Sequence, residues 1–209
     1  MANFLKFGSI RKSWDTAILG LLAMVLILAS TTTEGFLTSL NFSYIFSNTS
    51  EITIMAFAMT FLIITGEIDL SIASILALGS SMLGWSYANG APIWLAIIIC
   101  LVVGTVCGFI NGFLVTKVGL GSLAVTIGTL ALYRGIANGI LGENTVNEFP
   151  EAYTSFGFDT FGTSFMPKTM PLIIFFGLLF GFLLHRTPFG RRTLAIGQSP
   201  EAARFAGIN

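Results

Sequence analysis

Pro92-Ile-Trp-Leu-Ala-Ile-Ile-Ile-Cys100-Leu-Val-Val-Gly104-Thr-Val-Cys107-Gly-Phe-Ile-Asn-Gly112-Phe-Leu-Val-Thr116 runs for 25 residues without a charged side chain. A helix rises about 1.5 Å per residue, so about 20 apolar residues cross the roughly 30 Å hydrocarbon core of a bilayer. The stretch is long enough to span it. Five further runs of similar character flank it, approximately Thr16 to Thr33, Tyr44 to Thr65, Leu70 to Ala88, Ser122 to Leu141 and Met170 to His185. Together they predict an all-α, polytopic transmembrane bundle of about six spans in one domain over residues 1–209, with a distinct segment at 186–209.

Composition agrees. Only 10% of the residues are charged and 54% are hydrophobic, with a mean hydropathy of +0.86, against about 25% charged in an ordinary soluble chain. Ten basic and ten acidic residues cancel, which removes an overall electrostatic case for nucleic-acid binding. Two cysteines, Cys100 and Cys107, share one apolar run; a disulfide framework and a four-cysteine metal site are both excluded by count. They read as packing residues, and no metal is expected.

Cations fix the expected orientation. Lys6, Arg11 and Lys12 precede the first run, Lys117 separates the fourth and fifth, and Arg186, Arg191, Arg192 and Arg204 follow the sixth. Positive-inside bias and an even number of spans then predict a multi-pass membrane protein with both termini cytoplasmic. The longest link, Gly142 to Thr169, falls outside with Glu143, Glu148, Glu151 and Asp159 against one cation, Lys168. The first run continues to Thr31, Thr32 and Thr33 with no small-x-small cleavage site, so it reads as a retained helix rather than a signal peptide.

Thr65-Gly-Glu-Ile-Asp-Leu-Ser71 interrupts this pattern with two carboxylates between apolar runs. A carboxylate at membrane depth costs about 2.5–3.5 kcal/mol on insertion scales and needs a wet cavity or a partner. Two readings stay open. In one, a discontinuous helix lines a polar pathway with Glu67, Asp69 and Ser71; in the other, Asp69 caps the next helix at a tight turn, accepting from freed backbone N–H groups near Ile72. Arg134, inside the fifth run, either snorkels outward or faces the interior beside Glu67 or Asp69, near Thr126, Thr129 and Tyr133. Gly104, Gly108 and Gly112, spaced by four, predict a close-packing seam, as do Gly177 and Gly181.

After His185 the chain turns polar. Pro188 and Gly190 are expected to stop the last transmembrane helix. Ser199 as N-cap, Pro200 at the first helical position, Glu201 in the first turn and Gly207 as terminator then spell a helix of about two turns. Ala202, Ala203 and Phe205 give it a compact apolar side suited to a groove on another protein, in preference to lying flat on lipid, where so short a helix buries little area.

Three segments carry a resemblance to the permease subunits of bacterial ABC importers for monosaccharides, of the ribose, xylose, arabinose and rhamnose type, and more distantly to autoinducer-2 permeases. Gly66-Glu-Ile-Asp-Leu-Ser71 is similar to the family's Gly-Gly-Ile-Asp-Leu-Ser, with Glu67 replacing the second glycine. Leu123-Ala-Val-Thr-Ile-Gly-Thr-Leu130 through Tyr133-Arg-Gly135 resembles its threonine-glycine helix. Thr187 to Ile208 resembles its cytoplasmic segment most specifically. The resemblance implies that Gly190, Arg191, Gln198, Pro200, Glu201, Ala202, Ala203 and Gly207 serve coupling to the ATPase. It also implies an ABC ATPase subunit, a second permease subunit in a homo- or heterodimer, an extracytoplasmic sugar-binding protein and the lipid of the membrane as partners. Members normally continue through further helices, so the chain is expected to be a shortened or N-terminal form of the pattern.

No Gly-x-x-x-x-Gly-Lys-Ser/Thr loop occurs, so no cofactor is expected on the chain itself and ATP is expected on a partner subunit. The protein reads as no enzyme: Ser80, Ser81 and His185 are the only material for a hydrolase, and His185 sits at a helix end. Translocation of a monosaccharide or polyol-like solute is the expected function, through hydroxyl-matching groups such as Thr65, Ser71, Thr126 and Thr129. A non-transporting scaffold or assembly subunit is the alternative.

Overall fold

The computed structural model describes residues 14–142, 144–162 and 166–208. Lys6, Arg11, Lys12 and Glu143 lie outside the described residues. Nine helices occur among those described: α1 (Trp14–Thr32), α2 (Ser39–Ile64), α3 (Ile72–Ala88), α4 (Ile93–Thr116), α5 (Ser122–Leu141), α6 (Glu151–Phe158), α7 (Met170–Arg186), α8 (Pro188–Gln198) and α9 (Pro200–Phe205). All six expected runs are helical, with boundaries moved by a few residues, except at Tyr44, where α2 begins five residues earlier, at Ser39. Its start is set by Thr38, whose hydroxyl accepts from the Asn41 N–H.

By length and apolarity alone, α2, α4 and α5 can cross a membrane; α7 does so jointly with α8, across a 69° bend, and α1 and α3 are shorter apolar helices. Packing register supplies the direction of travel. Ser71, Ile75 and Gly79 of α3 and its start meet Asn111, Gly104 and Cys100 of α4 in reverse order, so these helices are antiparallel. Ser122 and Thr126 near the start of α5 face Ile68, just before α3, while Tyr133 and Ala137 farther along pack with Leu78 and Cys107, which makes α5 parallel to α3 and antiparallel to α4. Ser50 meets Thr169, Phe57 meets Gly177 and Phe61 meets Phe180, so α2 and α7 run parallel. Alternating traverses follow, which carry α3 and α7 from one end of the bundle to the other.

The alternation gathers Lys117, Arg186, Arg191, Arg192 and Arg204 at one end, with the α2–α3 link and the tail. Glu148, Glu151, Asp159 and Lys168 gather at the other. Here the long link is not formless: Val146 packs on Gly84, Phe149 stacks between Tyr87 and Tyr153, and α6 leads into a turn closed by the Thr160–Pro167 bridge. Lys168 pairs with Asp159 at 3.2 Å and also donates to Ser155.

Two packed groups emerge, α3–α4–α5 and α2–α7–α8. Leu78, Cys107, Tyr133 and Ala137 form the buried centre of the first. The expected glycine seam is only partly used. Gly104 meets Ile75 and Gly177 meets the Phe57 ring, but Gly108, Gly112 and Gly181 face open space, and the tightest glycine approach between α3 and α4 falls at Gly79, against the Cys100 sulfur. Helix α4 presents a different face to α3 than the glycine spacing implied, because Asn111 and Cys107 must point inward to meet polar partners. Cys100 and Cys107 are packing residues, as expected.

Candidate functional site

The break between α2 and α3 is built stepwise from its residues. Helix α2 closes at Gly66, which adopts φ +83°; its N–H bonds Ile63 O and the next N–H, from Glu67, bonds Leu62 O. This paired closure satisfies the last carbonyls and needs a left-handed residue, hence glycine. From Glu67 to Ser71 the chain is non-helical. Asp69 Oδ1 accepts from the Ser71 N–H at 2.7 Å and from the Ser71 hydroxyl at 2.6 Å. Ser71 is fully buried; its Oγ accepts from Asn111 Nδ2 at 2.8 Å, and Asn111 Oδ1 faces the Tyr133 hydroxyl at 3.2 Å, which also faces Cys107 O. The donors run one way, from Tyr133 through Asn111 and Ser71 to the carboxylate, so both hydroxyl protons and one Asn111 amide proton have an acceptor.

Depth follows from helix arithmetic. Asn111 lies five residues before the end of α4 and Thr126 four residues after the start of α5, about 6–8 Å in from the helix ends. Helix α4 spans about 36 Å, roughly 3 Å beyond the hydrocarbon core at each end, so the network sits a few ångströms inside the boundary. A carboxylate there costs less than one at the midplane. Ile68 is held as well: its carbonyl faces the Thr126 hydroxyl at 3.4 Å, and its N–H faces Ser122 Oγ at 3.5 Å. The capping reading is realised in part. Asp69 does order the start of α3, but one step earlier than Ile72, through Ser71, and the segment meets α4 and α5.

Of the residues expected along a pathway, Asp69, Ser71 and Thr126 come together. Glu67 is half-exposed at the end of α2. Thr129 is buried with its hydroxyl directed at Val125 O, 3.0 Å away. Arg134 is exposed on α5, eight residues and about 12 Å beyond Thr126 toward the opposite end, which separates it from Glu67 and Asp69. Asn111 was not anticipated, although it is the only amide side chain in the α4 run.

At the same end α7 stops at Arg186, just before Pro188, as expected, and a new helix begins at once across a 69° bend. Thr187 caps a new helix, its hydroxyl accepting from the Gly190 N–H at 3.4 Å and donating to Leu183 O at 2.5 Å, and Pro188 fits the first position of α8. Gly190 sits so close to Leu184 that a Cβ would overlap its backbone. Helix α9 matches expectation: Ser199 Oγ accepts from the Ala202 N–H at 3.2 Å, and Gly207 at φ +78° closes the helix. The apolar side is rearranged, however. Ala203 turns inward and is buried, while Ala202 and Phe205 face out, Phe205 at 93% exposure. Arg191, Gln198, Pro200 and Glu201 are exposed beside them.

Ser80 donates to Ala77 O in mid-α3, and His185 lies at the far end of α7 against Gly181 O, so the two form no nucleophile–base pair.

Against families of known proteins, residues 41–209 match the model described as "Branched-chain amino acid transport system / permease component". The chain belongs to this permease family. Among curated relatives, the permease is 34% identical over 209 residues to the autoinducer 2 import system permease protein LsrD of Klebsiella pneumoniae subsp. pneumoniae, covering 96% of this chain and 61% of the relative. It is 34% identical to the LsrD of Salmonella paratyphi A and 33% to that of Yersinia enterocolitica, covering 95% of this chain and 61% of the relative in both cases. The permease thus spans about three fifths of the length of these relatives. No solved structure matches it. The resemblance to importer permeases drawn from the sequence is borne out at the level of the family. In the permease, Glu67 stands just past the left-handed Gly66.

Proposed function

We propose that this permease is the membrane-spanning subunit of an ATP-driven ABC importer of the bacterial inner membrane, carrying a monosaccharide or polyol-like solute such as that of the autoinducer 2 importers. The supporting observation is the pairing of two features at one end of the bundle: the α8–α9 tail, with Ala202, Glu201 and Phe205 displayed, and the polar break at Gly66–Ser71. Exposed aromatic anchors dominate docking interfaces, and Phe205 is suited to a groove on an ATPase subunit. That end carries the basic residues and is cytoplasmic in this reading, with both termini there.

The half-buried Asp69 carboxylate offers an acceptor to hydroxyls, with the buried Ser71 and Thr126 holding the break in place beneath it. An amino-acid zwitterion would need a cation near the carboxylate, and Arg134 stands about 12 Å along α5 from Thr126. A neutral polyhydroxyl solute fits better. A second permease subunit would complete the pathway, and an extracytoplasmic binding protein would meet the α6 end.

The test is reconstitution of the full permease with its ATPase and binding protein, followed by ATP-dependent uptake of labelled monosaccharides, autoinducer 2 and leucine. Uptake of a sugar-like solute, not competed by leucine, is expected. Stable assembly without uptake of any solute would make the chain a scaffold instead.

A further inference from the structure

We propose that α8 and the last turn of α2 form one rigid lever that carries movement of the tail to a hinge at Thr65–Gly66, with Gly197 as its positioning residue; the inference rests on the importer reading above.

Two contacts join α8 to α2. Near its start, the Phe189 ring lies 5.4 Å from Phe61, which also meets Phe180 of α7 at 5.7 Å. Near its end, Gly197 abuts the Ile64 carbonyl so closely that a Cβ there would overlap it. Phe61 and Ile64 belong to the final turn of α2, and Phe189 and Gly197 stand eight residues, about 12 Å, apart on α8. Two separated contacts fix both the position and the orientation of one helix on another. The elbow to α7 is closed as well, by Gly190 on Leu184 and by the Thr187 cap.

The chain beyond Ile64 is differently built. Thr65 ends the helix and Gly66 alone carries the left-handed closure, and helical hydrogen bonding resumes only at Ser71. Ser71 itself is tied to α4 through Asn111. A push on α8–α9 therefore moves Ile64, while the far side of the break is held, and rotation concentrates in the residues between. A bulky side chain at 197 would wedge the lever off α2 without touching the surface that α9 displays.

The experiment uses the full permease with its ATPase and binding protein in proteoliposomes. Gly197→Val is expected to leave ATP hydrolysis within about twofold of the unsubstituted protein while uptake per ATP falls at least about tenfold, with Gly197→Ala between. In a second variant, Phe61→Cys with Phe189→Cys, on a background with Cys100→Ala and Cys107→Ala, a short bifunctional thiol reagent should bridge the pair in membranes with or without nucleotide. Uptake per ATP should then stay within about twofold, because the bridged parts move together. Normal uptake per ATP in Gly197→Val, arrest of transport by the bridge, or failure of the bridge to form would overturn the lever. Should Gly197→Val fail to insert, the bridged variant decides alone. Bridge formation with no ATP-dependent uptake by the unsubstituted protein would overturn the importer reading instead.

Discussion

Asp69 has two separable duties, and two substitutions divide them. Asp69→Ala removes the acceptor for both the Ser71 N–H and hydroxyl, leaving buried donors unpaired at a cost of about 2–3 kcal/mol. Asp69→Asn keeps an acceptor oxygen and should cost under about 1 kcal/mol. Detergent-titrated unfolding of both variants checks this; equal losses would mean that the charge, not the hydrogen bonding, orders α3. Asn111→Ala breaks the chain in its middle and should destabilise the α3–α5 group by about 1–3 kcal/mol, with Tyr133→Phe milder since Asn111 retains Ser71. The oddity of Asp69 was legible in the sequence because carboxylates are costly in lipid. Its partner was not: a single asparagine among apolar residues carries no spacing signal, and only the register of α3 against α4 reveals what it meets.

Helices α8 and α9 show what short elements encode. Ser199, Pro200, Glu201 and Gly207 announce α9 because each satisfies a particular helix-end group, so start and stop could be read residue by residue. Pro188 and Gly190 carried an ambiguous signal. Proline ends a preceding helix and also begins a following one, and here it does both: the Thr187 cap and the tight Gly190–Leu184 approach, local contacts, set the bend between α7 and α8. Likewise, which α9 alanine is buried depends on how α9 folds back on α8. Gly207→Pro replaces a residue at φ +78° with one fixed near −65° and should uncouple ATP hydrolysis from uptake without preventing insertion. Glu201→Lys, on the exposed side of α9, should do the same by reversing a charge at the docking face. Paired assays of hydrolysis and uptake check both; wild-type coupling in both variants would refute the docking role of α9.

At the scale of the whole molecule, the spans were legible because bilayer thickness imposes a length on each apolar run. The division into α3–α4–α5 and α2–α7–α8 was not, since Gly-x-x-x-Gly spacing marks a face that can pack, without saying which neighbour arrives. The end opposite the tail has its own test. Hydrogen bonding from Ser155, and then from Lys168, holds the Asp159 carboxyl below the ordinary aspartate range. Its contribution to the folded link is therefore present above about pH 4 and is lost as pH falls through the lowered value. Carbon NMR of the Asp159 carboxylate should show a midpoint below about 3.9, and Lys168→Met should raise it.

The central claim is that the tail meets an ATP hydrolase on the cytoplasmic side, and crosslinking from position 205 addresses it most directly. A photoreactive residue in place of Phe205, activated in intact cells, should capture the ATPase subunit, and a cysteine at that position should resist membrane-impermeant reagents added outside. Labelling from outside, or capture of no ATP hydrolase, would contradict the account.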